Sequence, residues 1–408
     1  MSQLPILVIN SGSSSIKFST FQASPGKIIP LYDGAADGIG TANGSFHVKS
    51  KDGKKTVDES TQIPNREAAF KRIADALQKP PFPKPEAIGH RVVAGGPHLR
   101  NHQRITPEVL AELEQTIPFA PLHNPSAIYI IHRMEELFPD VPNFVCFDSA
   151  FHQTIPEVAA RFAIPETYWD QGIRRYGAHG ISYESAIRLL GDKVPKRLIV
   201  AHLGNGCSIV AIRDGKSVDT SMGLTPTGGI ISATRTGDID PGVLLYILRD
   251  LKPEEGKPAL TREEAADQLE TIVNRKSGLR GTAQDSSDMR DLRNAIKSGN
   301  KLAAMAVAQF VYVLRKFIGS YYAVLGGLDM LVFTGGIGEH DVATRQEVCA
   351  DLEELGITLD SARNQSPEKD PGGLAVISAE DSAVKVLIVP AEEDFMIASH
   401  VYSLLKAG

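Results

Sequence analysis

Two arginines are suited to clamp an anion, and one of them stands where a lone charge is costly. Arg91 lies inside Gly89-His90-Arg91-Val92-Val93, an otherwise apolar run, and Arg235 lies in the polar turn Ser232-Ala233-Thr234-Arg235-Thr236-Gly237-Asp238. An unpaired charge in apolar surroundings is expensive, and the guanidinium fork matches the oxygens of carboxylates and phosphates. Paired arginines are therefore natural clamps for a phosphoryl group. The competing reading is a structural ion pair, for Arg235 with Asp238 or Asp240. His123 immediately precedes the helix start Asn124-Pro125, His179 stands between Gly177-Ala178 and Gly180, and His202 ends an apolar run. Taken singly, each is open to a purely structural reading. Asp148 follows the run Phe144 to Phe147, at the kind of strand end where open α/β sheets bind ligands. Glu393 follows Val389-Pro390 and suits a magnesium ligand, or else belongs to a surface acidic cluster, Glu392-Glu393-Asp394.

Three turns add phosphate-binding character. Asn10 to Lys17 holds four serines, a glycine and a lysine in eight positions. Hydroxyls and backbone N–H groups in such a turn can converge on phosphate oxygens, and a solvated serine loop is the alternative. Leu203-Gly204-Asn205-Gly206 reads as a type I′-like hairpin turn, with or without a phosphate role. Phe333-Thr334-Gly335-Gly336-Ile337-Gly338-Glu339 joins a strand to a helix and suits close approach of a nucleotide, without the full GxGxxG spacing. No GxxxxGK[ST] occurs, nor the HRD, DFG and VAIK set of protein kinases.

These groups must be positioned by an α/β architecture. Apolar runs at Pro5 to Ile9, Ile88 to Val93, Phe144 to Phe147, Leu198 to His202, Met330 to Thr334 and Val384 to Val389 are continuous rather than alternating, as in strands buried on both faces. Helix starts are marked by Thr106-Pro107-Glu108, Asn124-Pro125 and the capping box Thr261-Arg262-Glu263-Glu264, which opens a helix through about Val273. Lys301 to about Leu325 reads as a mostly buried helix. The strand–turn–strand segments at Leu7 to Phe18 and Ile199 to Val210 echo each other, which suggests an internal duplication with a boundary near Phe151. Two unrelated hairpins would look the same.

The totals limit the function further. The 408 residues favour two domains over one, and 43 Lys and Arg against 49 Asp and Glu give a formal charge of −6, which argues against nucleic-acid binding. Three widely spaced cysteines, Cys146, Cys207 and Cys349, argue against a disulfide framework or zinc site and fit a reducing cytoplasm. The first ten residues lack signal-peptide character, and no stretch approaches the ~20 apolar residues of a membrane helix.

In register, Asn10 to Lys17, Gly89 to Val93, Ala120-Pro121-Leu122-His123-Asn124-Pro125, Phe147-Asp148-Ser149-Ala150-Phe151-His152, His202 to Gly206, Asp219-Thr220-Ser221-Met222-Gly223, Thr234 to Gly242 and Phe333 to Glu339 resemble the acetate kinase family. The resemblance runs from Val8 to about Ala398. It implies the duplicated two-domain core of the acetate and sugar kinase/Hsp70/actin superfamily, ribonuclease H-like, with a central cleft. Residues 1–150 would form an N-terminal domain completed by 391–408, and 151–390 a nucleotide-binding domain. The implied reaction is reversible transfer of the ATP γ-phosphoryl group to acetate with Mg²⁺, in a cytoplasmic homodimer. A propionate or butyrate kinase, a pyrophosphate-using enzyme and a nucleotide-gated binding protein of the same superfamily are the alternatives.

By resemblance, Arg91 and Arg235 would hold the carboxylate and the transferring group, with His179 and His123 supporting the developing charge and Asp148 organising the magnesium shell. Asn10 and Glu393 match positions linked to magnesium. Ser13, Ser15, Lys17, His202, Asn205 and Gly206 would line the phosphate path, and Asp288, Arg290, Gly336 and Ile337 the adenosine. Val93, Leu122 and Pro226 would wall the acyl tail. The family pattern RRYGFHGTSH reads Arg174-Arg175-Tyr176-Gly177-Ala178-His179-Gly180-Ile181-Ser182-Tyr183 here, so Ala178 in place of Phe should enlarge the acyl pocket. Thr227-Gly228-Gly229 departs from a bulkier Leu-Glu-Gly, while Met289 and His340 depart near the expected adenosine site.

Overall fold

The computed structural model describes residues 3–12, 15–121, 123–253, 258–284 and 286–407. Runs of Val, Ile and Leu are stable as strands only when both faces are covered. The first strand, β1 (Leu4–Ser11), shows this directly: Leu7 and Ile9 enter one apolar cluster, while Ile6 and Val8 enter another. It belongs to a sheet with β2 (Ser15–Ser24), β3 (Lys27–Asp37), β4 (Ser45–Ser50), β5 (Lys55–Ser60), β6 (Ala87–Val92), β7 (Gln103–Arg104) and β8 (Asn143–Phe147). Their spatial order is β5-β4-β3-β2-β1-β6-β8-β7. A second sheet comprises β9 (Arg197–Leu203), β10 (Cys207–Arg213), β11 (Lys216–Thr220), β12 (Met330–Thr334), β13 (Ala375–Val376) and β14 (Lys385–Ile388), in the order β11-β10-β9-β12-β14-β13.

The sheets repeat one pattern. In the first, β1 and β2 pair antiparallel, as do β2 and β3, while β6 lies parallel to β1 and β8 parallel to β6. In the second, β9, β10, β11, β12 and β14 pair in the same senses. The two hairpins that echo each other in sequence occupy the same topological place, so the α/β core is a duplication. The chain divides into two compact units. The first is Met1–Gln153, Ala178–Ser185 and Glu392–Gly408; the second is Thr154–Gly177 and Ala186–Ala391. The segment Ala178–Ser185 thus sits with the first unit, inside the 151–390 range expected from sequence to form the second domain.

Local signals set most helix starts. Thr106 caps the helix Pro107–Glu114, and Thr261 with Glu264 forms a complete capping box on Arg262–Arg275. Three expectations need correction. Asn124 is the first residue of the helix Asn124–Leu137 rather than its cap, a position taken by His123. Its side-chain amide is spent elsewhere, donating to the Ala94 carbonyl at 2.8 Å and to the Thr116 hydroxyl at 2.7 Å. The β9–β10 turn spans three residues, with Leu203 paired to Cys207, and its glycines do not take the positive φ of a type I′ turn. External bonds shape it instead: the Asn205 carbonyl accepts from Ala233 N–H at 3.0 Å, and the Ser232 hydroxyl accepts from Cys207 N–H at 3.0 Å.

The third correction concerns the helix Lys301–Leu325. It is long and apolar enough, by length and composition, to cross a membrane, and it is not mostly buried. One stripe that includes Ala306, Phe310, Leu314 and Ile318 packs into the second unit's core, while Met305, Tyr312 and Val324 are exposed. Arg315 on the same helix donates to the Val348 carbonyl and pairs with Asp351 at 3.1 Å. This is a core helix with an apolar outer face.

The C-terminal helix Glu393–Ala407 covers one face of the first sheet, and a single glycine lets it approach. A Cβ on Gly89 would lie 2.7 Å from Ile397 Cγ2 and 2.7 Å from Val401 Cγ2, both branched and fully buried. Overpacking of this kind costs about 1–3 kcal/mol. Gly89→Ala is therefore expected to destabilise the fold by that amount, read as a lower urea midpoint with the slope unchanged; an unshifted midpoint would mean that the helix is not seated on β6 as described.

Candidate active site

In the first unit the sequence-predicted residues gather at the ends of β1, β6 and β8. Arg91 on β6 donates through Nε to Asp148 Oδ1 at 3.1 Å and through Nη2 to Asp148 Oδ2 at 2.5 Å. Its Nη1 donates to Asn10 Oδ1 at 3.1 Å, and Glu393 Oε2 lies 4.0 Å from Nε. Burial disfavours the guanidinium charge, but the Asp148 and Glu393 carboxylates outweigh it and keep Arg91 protonated. Burial raises the Asp148 carboxyl above its ordinary range, Arg91 opposes that rise, and Glu393 adds to it.

Asp148, directly after β8, is fully buried. Its carboxylate also accepts from the backbone N–H of His179. One buried carboxylate thus fixes both the arginine and the peptide that carries the histidine. His179 has φ +61°, a left-handed conformation rare for a residue with a side chain, and the helix Gly180–Leu190 begins directly after it. Ala178 and Val93 are buried in the same unit. Glu392, Glu393 and Asp394 are partly buried rather than a solvated surface cluster, and Ser19 donates to Asp394 at 2.6 Å.

The hairpin turn after β1 is partly described. Lys17 is exposed on β2, opposite Asn10, and Gly12 N–H donates to the Ser15 carbonyl at 2.8 Å. Ser13 and Leu122, named from the sequence, lie outside the described residues. Sequence reasoning missed Arg66, whose Nη1 donates to the Ser11 hydroxyl and the Gly12 carbonyl, each at 3.1 Å. A signal was available, because Arg66 opens the helix Arg66–Leu77, and a cation is disfavoured at that end of a helix dipole.

In the second unit His202 is the penultimate residue of β9, and Asn205 and Gly206 lie in the following turn. Arg235 donates to the Pro226 carbonyl at 3.3 Å. The ion-pair partners considered for it are otherwise engaged: Asp238 accepts from Gly229 N–H at 2.7 Å, and Asp240 caps the helix Pro241–Asp250. After β12 the chain turns into a short helix, Gly335–His340. Gly335, at φ +76°, passes so close to Leu203 that a Cβ would meet its carbonyl oxygen at 2.9 Å. Gly336 is exposed with open space around it, and Ile337 packs on the core. Asp288 caps the helix Met289–Lys297 and pairs with the exposed Arg290 at 2.6 Å.

Repeated five-strand cores of this kind define the acetate and sugar kinase/Hsp70/actin class of fold. The sequence model of the Acetokinase family matches residues 5–399. An acetate kinase of Porphyromonas gingivalis is 39% identical over 99% of this chain and 100% of its own length, and one from a Geobacillus species is 41% identical over 99% of each. The crystal structure of the Porphyromonas gingivalis acetate kinase superposes with a TM-score of 0.81 at 38% identity, covering 98% of this chain and 100% of that one. A propionate kinase from Francisella tularensis gives 0.85 at 36% identity, covering 99% and 100%. The chain belongs to the acetokinase family, and so is a phosphotransferase with a carboxyl group as acceptor.

A second histidine group in the first unit resembles a metal cage. His102 Nε2 lies 3.7 Å from Glu184 Oε1, and His400 Nε2 lies 2.7 Å from Glu184 Oε2. However, Phe147 N–H donates to His102 Nδ1 at 3.0 Å, so the neutral ring carries its proton on Nε2 and offers no lone pair there. The trio is a carboxylate between two imidazoles. Burial alone would raise the Glu184 carboxyl, but the two histidines pull it down to about 2. A depressed carboxyl stabilises the fold above its ordinary value of 4.5 and loses that contribution as pH falls toward 2. Glu184→Gln should therefore melt below the wild type at pH 7, and the gap should close on acidification below about 4.5; a gap that ignores pH would refute the assignment.

Proposed function

We propose that the chain catalyses reversible transfer of the ATP γ-phosphoryl group to a short-chain carboxylate, with Mg²⁺. The observation that carries this reading is Arg91, partly buried and paired with Asp148 and Asn10 beside Glu393 and the His179 peptide. A carboxylate acceptor is already ionised at neutral pH, so the site needs no strong general base. The obstacle is repulsion between the acceptor and the phosphoryl oxygens. Fixed cations and donors aimed at those oxygens overcome it. In this reading Arg91 and Arg235 bind the acceptor and the travelling group, while His179 and His123 donate to its oxygens. The acceptor oxygen bonds to phosphorus as the bond to ADP breaks.

Asn10 and Glu393 supply hard oxygen atoms of the type Mg²⁺ prefers. The ion would neutralise charge on the nucleotide phosphates. Asp148, with its oxygens committed to Arg91 and to the His179 N–H, acts by holding those two groups. We assign the phosphate path to Ser15, Lys17, His202, Asn205 and Gly206, and the adenosine to the region of Asp288, Arg290, Gly336 and Ile337.

Two further elements belong to this reading. The helix Pro241–Asp250 buries none of its residues, and Val243, Leu245, Tyr246 and Leu248 are exposed, Tyr246 by 72%. Such an apolar face suits a second copy of the chain, in keeping with a homodimer. Three buried free thiols accord with the cytoplasm.

The reaction is tested by trapping acyl phosphate with hydroxylamine, using acetate, propionate and butyrate with either ATP or pyrophosphate. Acyl phosphate formed with ATP supports the assignment, and Arg91→Ala should reduce kcat/KM about a hundredfold or more with the fold intact. Product with pyrophosphate alone would move the donor; undiminished turnover by Arg91→Ala would remove Arg91 from the site.

A broader acyl range is favoured by one observation, the burial of Ala178, which stands where the family pattern RRYGFHGTSH has Phe, and it accords with the similarity to a propionate kinase. Each methylene in a pocket changes discrimination by about 1–3 kcal/mol. Ala178→Phe should therefore shift kcat/KM about tenfold or more from propionate toward acetate; an unchanged ratio would separate Ala178 from the acyl tail.

A further inference from the structure

The peptide joining Ala178 to His179 is held at both ends. Its N–H donates to the Asp148 carboxylate. Its carbonyl accepts from His152 Nε2 at 3.1 Å. A carbonyl oxygen offers only lone pairs, so His152 carries a proton on Nε2 and is the donor. His152 is buried, and its ring meets Tyr183 edge-on at 5.6 Å, with Tyr183 itself fully buried. The next peptide is also fixed, because Gly180 N–H donates to the Asp148 carbonyl at 2.8 Å. Gly180 cannot give way to a larger residue, since a Cβ there would lie 2.2 Å from that same oxygen.

These bonds surround the one strained residue of the segment. His179 keeps φ at +61°, and rotation of the preceding peptide plane is the motion that would return it to an ordinary conformation. That rotation must break the Asp148 bond at one end of the plane and the His152 bond at the other. We propose that His152 is a positioning residue for phosphoryl transfer: its Nε2–H, with the Asp148 carboxylate opposite, clamps the Ala178–His179 peptide and so aims the His179 imidazole. The proposal rests on the reading of His179 as a donor to the transferring group.

The test compares three full-length variants with the wild type. His152→Leu removes the donor at similar volume, His152→Gln places an amide N–H near the original Nε2, and His152→Asn keeps polarity but falls short. Two quantities are read: steady-state kcat and KM for both substrates, and the NMR signal of the His179 ring, identified by its loss in His179→Ala. His152→Leu should lose about a hundredfold in kcat, with KM values within about threefold, and its His179 signal should move or broaden. His152→Gln should recover most of the rate and the wild-type signal, and His152→Asn should not. Wild-type turnover in His152→Leu or His152→Asn, equal impairment of the Leu and Gln variants, or an unmoved His179 signal would overturn the proposal. If His152→Leu does not fold, the Gln and Asn pair decides the matter. Full activity in His179→Ala would overturn the reading of His179 instead, leaving its ring signal to judge the clamp.

Discussion

One ion pair, built on a buried carboxylate, organises the first unit. Arg91 lies on β6 and Asp148 directly follows the neighbouring parallel strand β8, and the bidentate contact between them lets a guanidinium remain charged in an apolar sheet. Such pairs are weak sources of stability, because desolvation offsets much of the attraction. The value of this one lies in placement. Asp148 also receives the N–H of His179 through its side chain and that of Gly180 through its carbonyl. A single residue at the end of β8 therefore fixes the arginine on β6, the strained histidine and the start of the helix Gly180–Leu190.

The second unit uses the same strand pattern with different means. Its strand-end turns are shaped by backbone approach: Gly335 lies against Leu203, and the β9–β10 turn is pinned by Ser232 and Ala233. Backbone N–H groups and small residues suit phosphates, which need many donors and little side-chain bulk. Duplication supplied two equivalent sets of strand ends. The first set carries charged side chains, and the second carries glycine-rich turns.

Close packing explains why several small residues cannot vary. Gly89 admits the C-terminal helix, which brings Glu393 and Asp394 to the end of the first sheet. Gly180 admits the Asp148 carbonyl. In both places the packing depends on a missing side chain as much as on those present.

The sequence by itself determined the buried strands β1, β6, β8, β9, β12 and β14, the duplicated hairpins, the capping box at Thr261 and the identities of Arg91, Asp148, His179 and Glu393 as candidate groups, because local periodicity and residue type carry those signals. It could not decide partners. That Asp148 is buried beneath Arg91, that Asn124 reaches Ala94 instead of capping its helix, and that His152 holds the Ala178 carbonyl all depend on contacts between residues far apart in the chain. The helix Lys301–Leu325 was misjudged for the same reason: apolar residues occur on more than one of its faces, and only packing selects which stripe is covered. Hydrogen-bond geometry in three dimensions also decided that the His102, Glu184 and His400 trio is no metal cage, since the Phe147 N–H fixes which nitrogen of His102 bears the proton.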